Sequence, residues 1–283
     1  MPDPNANSRT RLTDRWWIRI LAPSIVPLAI LAGWEAYVQL RDVPEYILPA
    51  PSVIAQTLWT EQADLFRALG VTLKTMFVAL GLAVVGGVGL AMLFSASRLL
   101  ETSLFPPAVV LQVTPLIAVA PLLVVWLGDY PWAVLLLCAL IVAFFPILSN
   151  TVTGLHSVDH NLRDLMRLYG ATPWQRLTLL QAPSALPYFL SGLKVAANLA
   201  LVGSIVAEFA VGASGSQTGL ASTILESGFR LQVPRMFAAL ALVSATGVTV
   251  YFAIHLLSQW LLSPWHDSAS FSHFNKGNES RCL

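Results

Sequence analysis

The strongest constraint on this chain is a recurrence of apolar runs, each about as long as a bilayer is thick and each bounded by polar segments. A hydrocarbon core of about 30 Å needs about 20 helical residues to cross it, with every backbone polar group bonded inside the segment. Such runs begin at Ile20, Val71, Leu104, Trp132, Ser184 and Met236. The fold expected is therefore all-α, a polytopic membrane protein of about six transmembrane helices. Composition agrees, because 56% of the 283 residues are hydrophobic and 11% are charged, where a soluble domain carries about 25% charged residues. A net charge of +1 offers no basic surface, so no nucleic acid partner is expected. Cys138 lies in an apolar run and Cys282 in the tail, too far apart in this topology to suggest a disulfide or a metal site.

In chain order, Arg9, Arg11, Arg15 and Arg19 precede Ile20–Leu40, with Trp16 and Trp17 at the headgroup level. Pro23 and Pro27 interrupt this run and no small-residue cleavage site follows, so it reads as a retained span rather than a signal peptide. Arg41–Leu69 connects to the second span through a short surface helix that Ser52 is placed to cap. In Val71–Phe94 the small residues Ala83, Gly87 and Ala91 recur every fourth position, which suits either close helix approach or simple tolerance in lipid. Leu104–Leu127 is one span bent by Pro106, Pro107, Pro115 and Pro121, and Gln112 and Thr114 make it a candidate pathway wall. The fourth span is Trp132 to about Val152, the fifth Ser184–Val211 and the sixth Met236–Leu262, with Ala213–Arg235 read as a polar loop between the last two.

Six spans with both ends on one side put ten Lys and Arg residues on the side of the termini, among them Arg98, Arg163, Arg167, Arg176, Lys276 and Arg281. Four, Arg41, Arg67, Arg230 and Arg235, fall on the other, and Lys74 and Lys194 lie near helix ends. The positive-inside rule then makes both termini cytoplasmic. Residues 1–19 are a cytoplasmic segment, 20–265 the membrane domain and 266–283 a cytoplasmic tail.

The same rule places the polar insert at about 154–183 in the cytoplasm. There Leu162, Leu165, Met166 and Tyr169 share one helical face, while Arg163, Asp164 and Arg167 lie on the other, so one face packs and one meets water or protein. Gly170 suits a left-handed C-cap, with Ala171 following it; Thr172 and Pro173 suit an N-cap and first residue of a second short helix. The insert reads as a rigid knob in which Arg163, Arg167 and Arg176 sit in water and Pro183 and Pro187 mark the boundary with the fifth span.

These features resemble the EAA loop of the membrane subunits of bacterial ATP-binding-cassette importers: a glycine (Gly170), a nine-residue spacer, then Leu180, Gln181, Ala182 and Pro183. YILPAPSVIAQTL at 46–58, LQVTPLIAVAPLLVVWLGD at 111–129 and AEFAVGASGSQTGL at 207–220 resemble the branch serving nitrate, bicarbonate, taurine, sulfonates and vitamin or pyrimidine precursors. Asp164, Leu165 and Met166 stand where the pattern has Glu-Ala-Ala, and Ala182–Pro183 where it has Leu-Pro, which implies an ATPase groove shaped for bulkier side chains. The resemblance implies a homodimeric permease in a bacterial inner membrane, two ATPase subunits gripping the coupling helices, and a soluble substrate-binding protein outside. This chain has no G-x-x-x-x-G-K-[ST] phosphate loop. It is thus expected to bind no cofactor itself, with ATP and Mg on the partner ATPase.

Glu208, an ionisable group in the fifth span, is a functional candidate, and because the AEF stretch resembles a family feature, a gate or packing role is expected rather than substrate reading. Asn198 and Ser204 on the same span either line a pathway or bond a neighbouring helix, and Glu35 in the first span carries the same two readings. The different-class alternative is an intramembrane enzyme acting on lipid or peptide. No constellation supports it: His156 and His160 have no H-E-x-x-H context, and no span offers a nucleophile with a partnered base. No span displays an arginine suited to nitrate or a sulfonate, which makes a neutral heteroaromatic precursor conceivable, while selectivity is expected to reside mainly in the binding protein.

Overall fold

The computed structural model describes residues 16–212 and 219–262, with 16–24 by backbone alone. Arg9, Arg11, Arg15, the side chains of Trp16, Trp17 and Arg19, Trp265, Cys282 and the tail with Lys276 and Arg281 lie outside the described residues. All described elements are helical. Four helices are long and apolar enough to cross a membrane: α3 (Gln62–Ala96), α6 (Pro131–His156), α9 (Ala182–Gly212) and α11 (Val233–Leu262). The first helix, α1 (Trp16–Leu40), contributes the shorter apolar stretch Ile25–Leu40.

The expected third span is broken rather than bent. It forms α4 (Arg98–Val113) and α5 (Leu116–Leu127), which meet at 96°. Pro115 forces its predecessor out of the helical region, and Thr114 is extended at φ −64°, ψ 124°. The Thr114 N–H and hydroxyl both donate to the Val110 carbonyl and close α4 there. Pro106, Pro107 and Pro121 lie inside α4 and α5 without ending them.

The centre of the molecule is the packing of α3, α6 and α9. Their axes approach closely because small residues line the seams: a Cβ on Gly192 would stand 2.7 Å from the Pro146 carbonyl oxygen, and one on Gly203 would stand 2.8 Å from the Ala139 Cα. Ala83, Gly87 and Ala91 face α6 and are buried, so close helix approach is the reading the structure supports for this repeat. The principal cluster joins Met76 and Ala83 of α3, Ala143 and Ile147 of α6, and Ala196 and Ala200 of α9.

Two local expectations need correction. The surface helix α2 (Pro51–Thr60) exists, but Ala50 is its N-cap and Ser52 is not. Instead the Ser52 N–H and hydroxyl donate to the Glu35 carboxylate at 3.0 and 2.7 Å, so Glu35 of α1 satisfies the first turn of α2. The stretch expected to be a polar loop, Ala213–Arg235, contains a helix, α10 (Leu220–Phe229). Its first turn is buried against Leu65 of α3 and Ala238 and Ala239 of α11.

Candidate functional site

The polar insert forms two short helices, α7 (His160–Leu168) and α8 (Pro173–Arg176), joined by a sharp turn. Asp159 caps α7 by accepting from the Asn161 N–H at 2.9 Å. Its other end is a complete Schellman closure: the Ala171 N–H donates to the Met166 carbonyl and the Gly170 N–H to that of Arg167, each at 3.0 Å. Gly170 sits at φ +66°, where a Cβ is disfavoured. Thr172 then opens α8 with a capping box: its hydroxyl accepts from the Gln175 N–H and the Gln175 side chain accepts from the Thr172 N–H. The N–H groups of Gly170, Ala171, Thr172 and Gln175 are thus all bonded within the turn.

The boundary expected at Pro183 and Pro187 is absent. Helix runs without interruption from Pro173 to Gly212, 40 residues, through a single π-helical stretch at Leu177–Gln181 in which the Ala182 N–H reaches back to the Leu177 carbonyl. The wider turn suits Pro183, which has no N–H to offer the Leu179 carbonyl and whose ring would crowd it in regular α geometry. The Ser184 hydroxyl of α9 donates back to the Leu180 carbonyl of this stretch at 2.8 Å.

The faces of α7 are arranged differently from expectation. Leu162 is 48% exposed, Leu165 46% and Tyr169 81%, while Met166 is half-buried, so most of the apolar face is not packed against this chain. Nearby Leu168 and Trp174 are also exposed. Arg163 and Arg176 turn inward instead of sitting in water, each half-buried with its Nε shut off from solvent. Arg167 behaves as expected, pairing with Asp164 at 3.3 Å on the open surface.

The candidate pathway residues do not converge. Gln112 and Thr114 lie on the exposed elbow between α4 and α5. Asn198 is half-buried on α9; Ser204 is fully buried and returns its hydroxyl to the Leu201 carbonyl. Glu208 is fully buried, and its Oε2 accepts from the Ala221 N–H of α10 at 2.9 Å. Beside it the Leu220 N–H donates to the Thr72 hydroxyl of α3, so two distant side chains together cap α10. A Cβ on Gly219 would stand 2.4 Å from the Glu208 Oε1, which ties the glycine to this close approach. Local sequence could not disclose this cap, because its donors and acceptors are separated by 13 and 148 residues.

An all-helical bundle with a broken third span and a projecting two-helix knob invites comparison with known permeases. Residues 83–263 match the family model described as binding-protein-dependent transport system inner membrane component. The chain belongs to this family. A probable ABC transporter permease of Haemophilus influenzae is 33% identical over 87% of this chain and 96% of that one. The formylaminopyrimidine transport permease of Halalkalibacterium halodurans is 32% identical over 87% and 96%, and the riboflavin transport system permease of Chloroflexus aurantiacus 32% identical over 95% and 98%. Among solved structures, the inward-facing MetNI methionine ABC transporter shares the fold at TM-score 0.59 and 18% identity, covering 69% of this chain and 94% of that one. The protein is thus a multi-pass permease subunit of an ABC importer and not an enzyme, and ATPase and substrate-binding partners follow from that membership.

Proposed function

We propose that this permease works as a homodimer in a bacterial inner membrane, with both termini cytoplasmic and each 154–183 insert seated in one of two ATPase subunits. The observation carrying this reading is the exposed apolar face of α7, held in place by capped turns and continued into a membrane helix. An amphipathic helix with its apolar side in water is stabilised by a partner groove. Leu165 and Met166 supply the bulk there, the Asp164–Arg167 pair forms the rim, and Gly170, Ala171 and Thr172 fix the turn. Pro183 joins this knob to α9.

ATP and Mg act on the partner ATPase, while this chain converts movement of the knob into movement of α9 and alternates access to a central pathway. Asn198, Ser204 and Glu208 ride on that helix, and the Gln112–Thr114 elbow is the bent counterpart on the third span. Glu208 serves packing in this arrangement, since its carboxylate holds α10. The cargo is a small polar solute from an external binding protein. The formylaminopyrimidine and riboflavin permeases among its relatives favour a heteroaromatic compound.

The test is ATP hydrolysis and uptake by the assembled complex in vesicles. Gly170→Pro removes the N–H that closes the turn, and Asp164→Lys reverses the rim charge. Both variants should insert normally, while uptake falls at least about tenfold, the effect of roughly 1.4 kcal/mol lost at the contact. Wild-type uptake by both variants would refute the role given to the insert. Identifying the binding protein's ligand by calorimetry would decide the cargo separately.

A further inference from the structure

At the end of α3 nearest the insert, cytoplasmic on the topology proposed above, a cavity of about 660 Å³ is lined by Arg98, Glu101, Phe105, His156 and Arg163. A second, of about 570 Å³, shares Ser95 and Arg163 with it and adds Arg176. A third, of about 470 Å³, shares Gly89 and Met92 with the second and is walled by apolar side chains such as Val84, Val88, Leu186 and Phe189. Adjoining through these shared residues, the three make a groove that is charged beside the insert and apolar farther along α3. Arg98, Arg163 and Arg176 make no ion pair with any described residue, and the Nε atoms of Arg163 and Arg176 are buried without a hydrogen-bond partner. The single carboxylate in the group, Glu101, is 3.7 Å from His156 Nδ1. From Ser95 to Val84 helix α3 descends roughly 17 Å at 1.5 Å per residue, close to the depth of one leaflet, about half of a 30 Å core.

We infer that this groove is a binding site for an anionic phospholipid, its phosphate held by Arg163 with Arg98 and Arg176 and one acyl chain lying along Val84–Met92 of α3. Basic pockets between helices at the cytoplasmic face suit anionic headgroups, and guanidinium groups match phosphate oxygens in geometry. A soluble ATPase reaches the arginines but not the apolar part at membrane depth. A small solute, heteroaromatic or not, does not span the roughly 17 Å between the Ser95 and Val84 levels of α3.

The experiment uses the full-length permease, delipidated in neutral detergent, with bound lipid counted by native mass spectrometry. Phosphatidylglycerol, phosphatidylcholine with the same chains and inorganic phosphate are titrated separately and in competition. Phosphatidylglycerol should bind at least about tenfold more tightly than phosphatidylcholine, with about fivefold lost on Arg98→Gln and again on Arg163→Gln. Gly89→Leu plugs the junction of the second and third cavities, where a Cβ meets nothing within 4 Å, so it should fold, lose phosphatidylglycerol and leave phosphate binding unchanged. Equal retention of the two lipids by the wild type overturns the proposal, whatever the variants do. So does displacement of phosphatidylglycerol by equimolar phosphate, which would mark a soluble-anion site. Disulfide formation between two copies of Gly89→Cys in native membranes also overturns it, because a second chain would then cover the groove.

Discussion

Glu208 shows how one buried carboxylate can be structural in a membrane helix. Its Oε2 meets the Ala221 N–H at 2.9 Å and its side chain fills the space that the absence of a Cβ on Gly219 leaves open. Replacing it by alanine orphans a buried N–H, at about 1–3 kcal/mol, and adds a cavity. Glu208→Ala should therefore lower the thermal midpoint in detergent and raise amide exchange across 220–229, while Glu208→Gln, which keeps an acceptor oxygen, should recover most of the loss. Equal behaviour of the two variants would remove the capping role. The charge itself was visible in the sequence as an expensive residue in a span, but its partner was not, because the cap joins α9 to a helix that begins 12 residues later.

At the scale of elements, what the sequence disclosed was whatever rests on local chemistry. Gly170, Thr172–Pro173 and the periodicity of α7 all signal structure made within a few residues, and each is found where its pattern places it. The elements that escaped are those decided by distant contacts. Gly219, Ser222, Thr223 and Ser227 read as loop composition, yet α10 forms because Glu208 and Thr72 satisfy its first turn and because Leu220 and Ala221 are buried. Likewise the orientation of α7 escaped, since polarity alone assigns arginines to water while Arg163 packs inward and Leu165 does not. The far end of α10 offers a test of local energetics. It closes with the Gln232 N–H on the Ser227 carbonyl, as a Schellman turn does, but the left-handed position is Leu231 at φ 56° and 75% exposed. A leucine there costs about 1 kcal/mol relative to glycine. Leu231→Gly should raise the unfolding midpoint by a few degrees without altering uptake, whereas Gly170→Ala at the equivalent position of α7 should lower it by a similar amount. A midpoint that falls for Leu231→Gly would show that the exposed leucine makes a contact in the assembled transporter.

For the whole molecule, the continuity of 173–212 matters more than any of its parts. A helix of 40 residues is roughly 60 Å long at 1.5 Å per residue, enough to carry the knob's displacement through the bilayer without an intervening joint. Packing makes this helix the central post: it meets α6 along the glycine seam, α3 through Ala196 and Ala200, and α10 through Glu208. Its one π-helical stretch, Leu177–Gln181, lets the helix continue past Pro183, so the knob and the apolar span belong to one helix. If stiffness is what transmits the stroke, inserting two glycines between Gln181 and Ala182 should leave the knob's own caps intact, because these are all formed between residues 159 and 175. Each inserted glycine costs the helix about 1 kcal/mol, which introduces a flexible point here without touching either end. The assembled complex should then retain ATPase binding and basal hydrolysis but lose stimulation by the loaded binding protein. Insertion of two alanines, which adds the same length and rotation but keeps the helix stiff, separates the possibilities: loss of stimulation with glycines alone identifies stiffness as the transmitted property, and equal loss with both assigns the effect to the altered register of the knob.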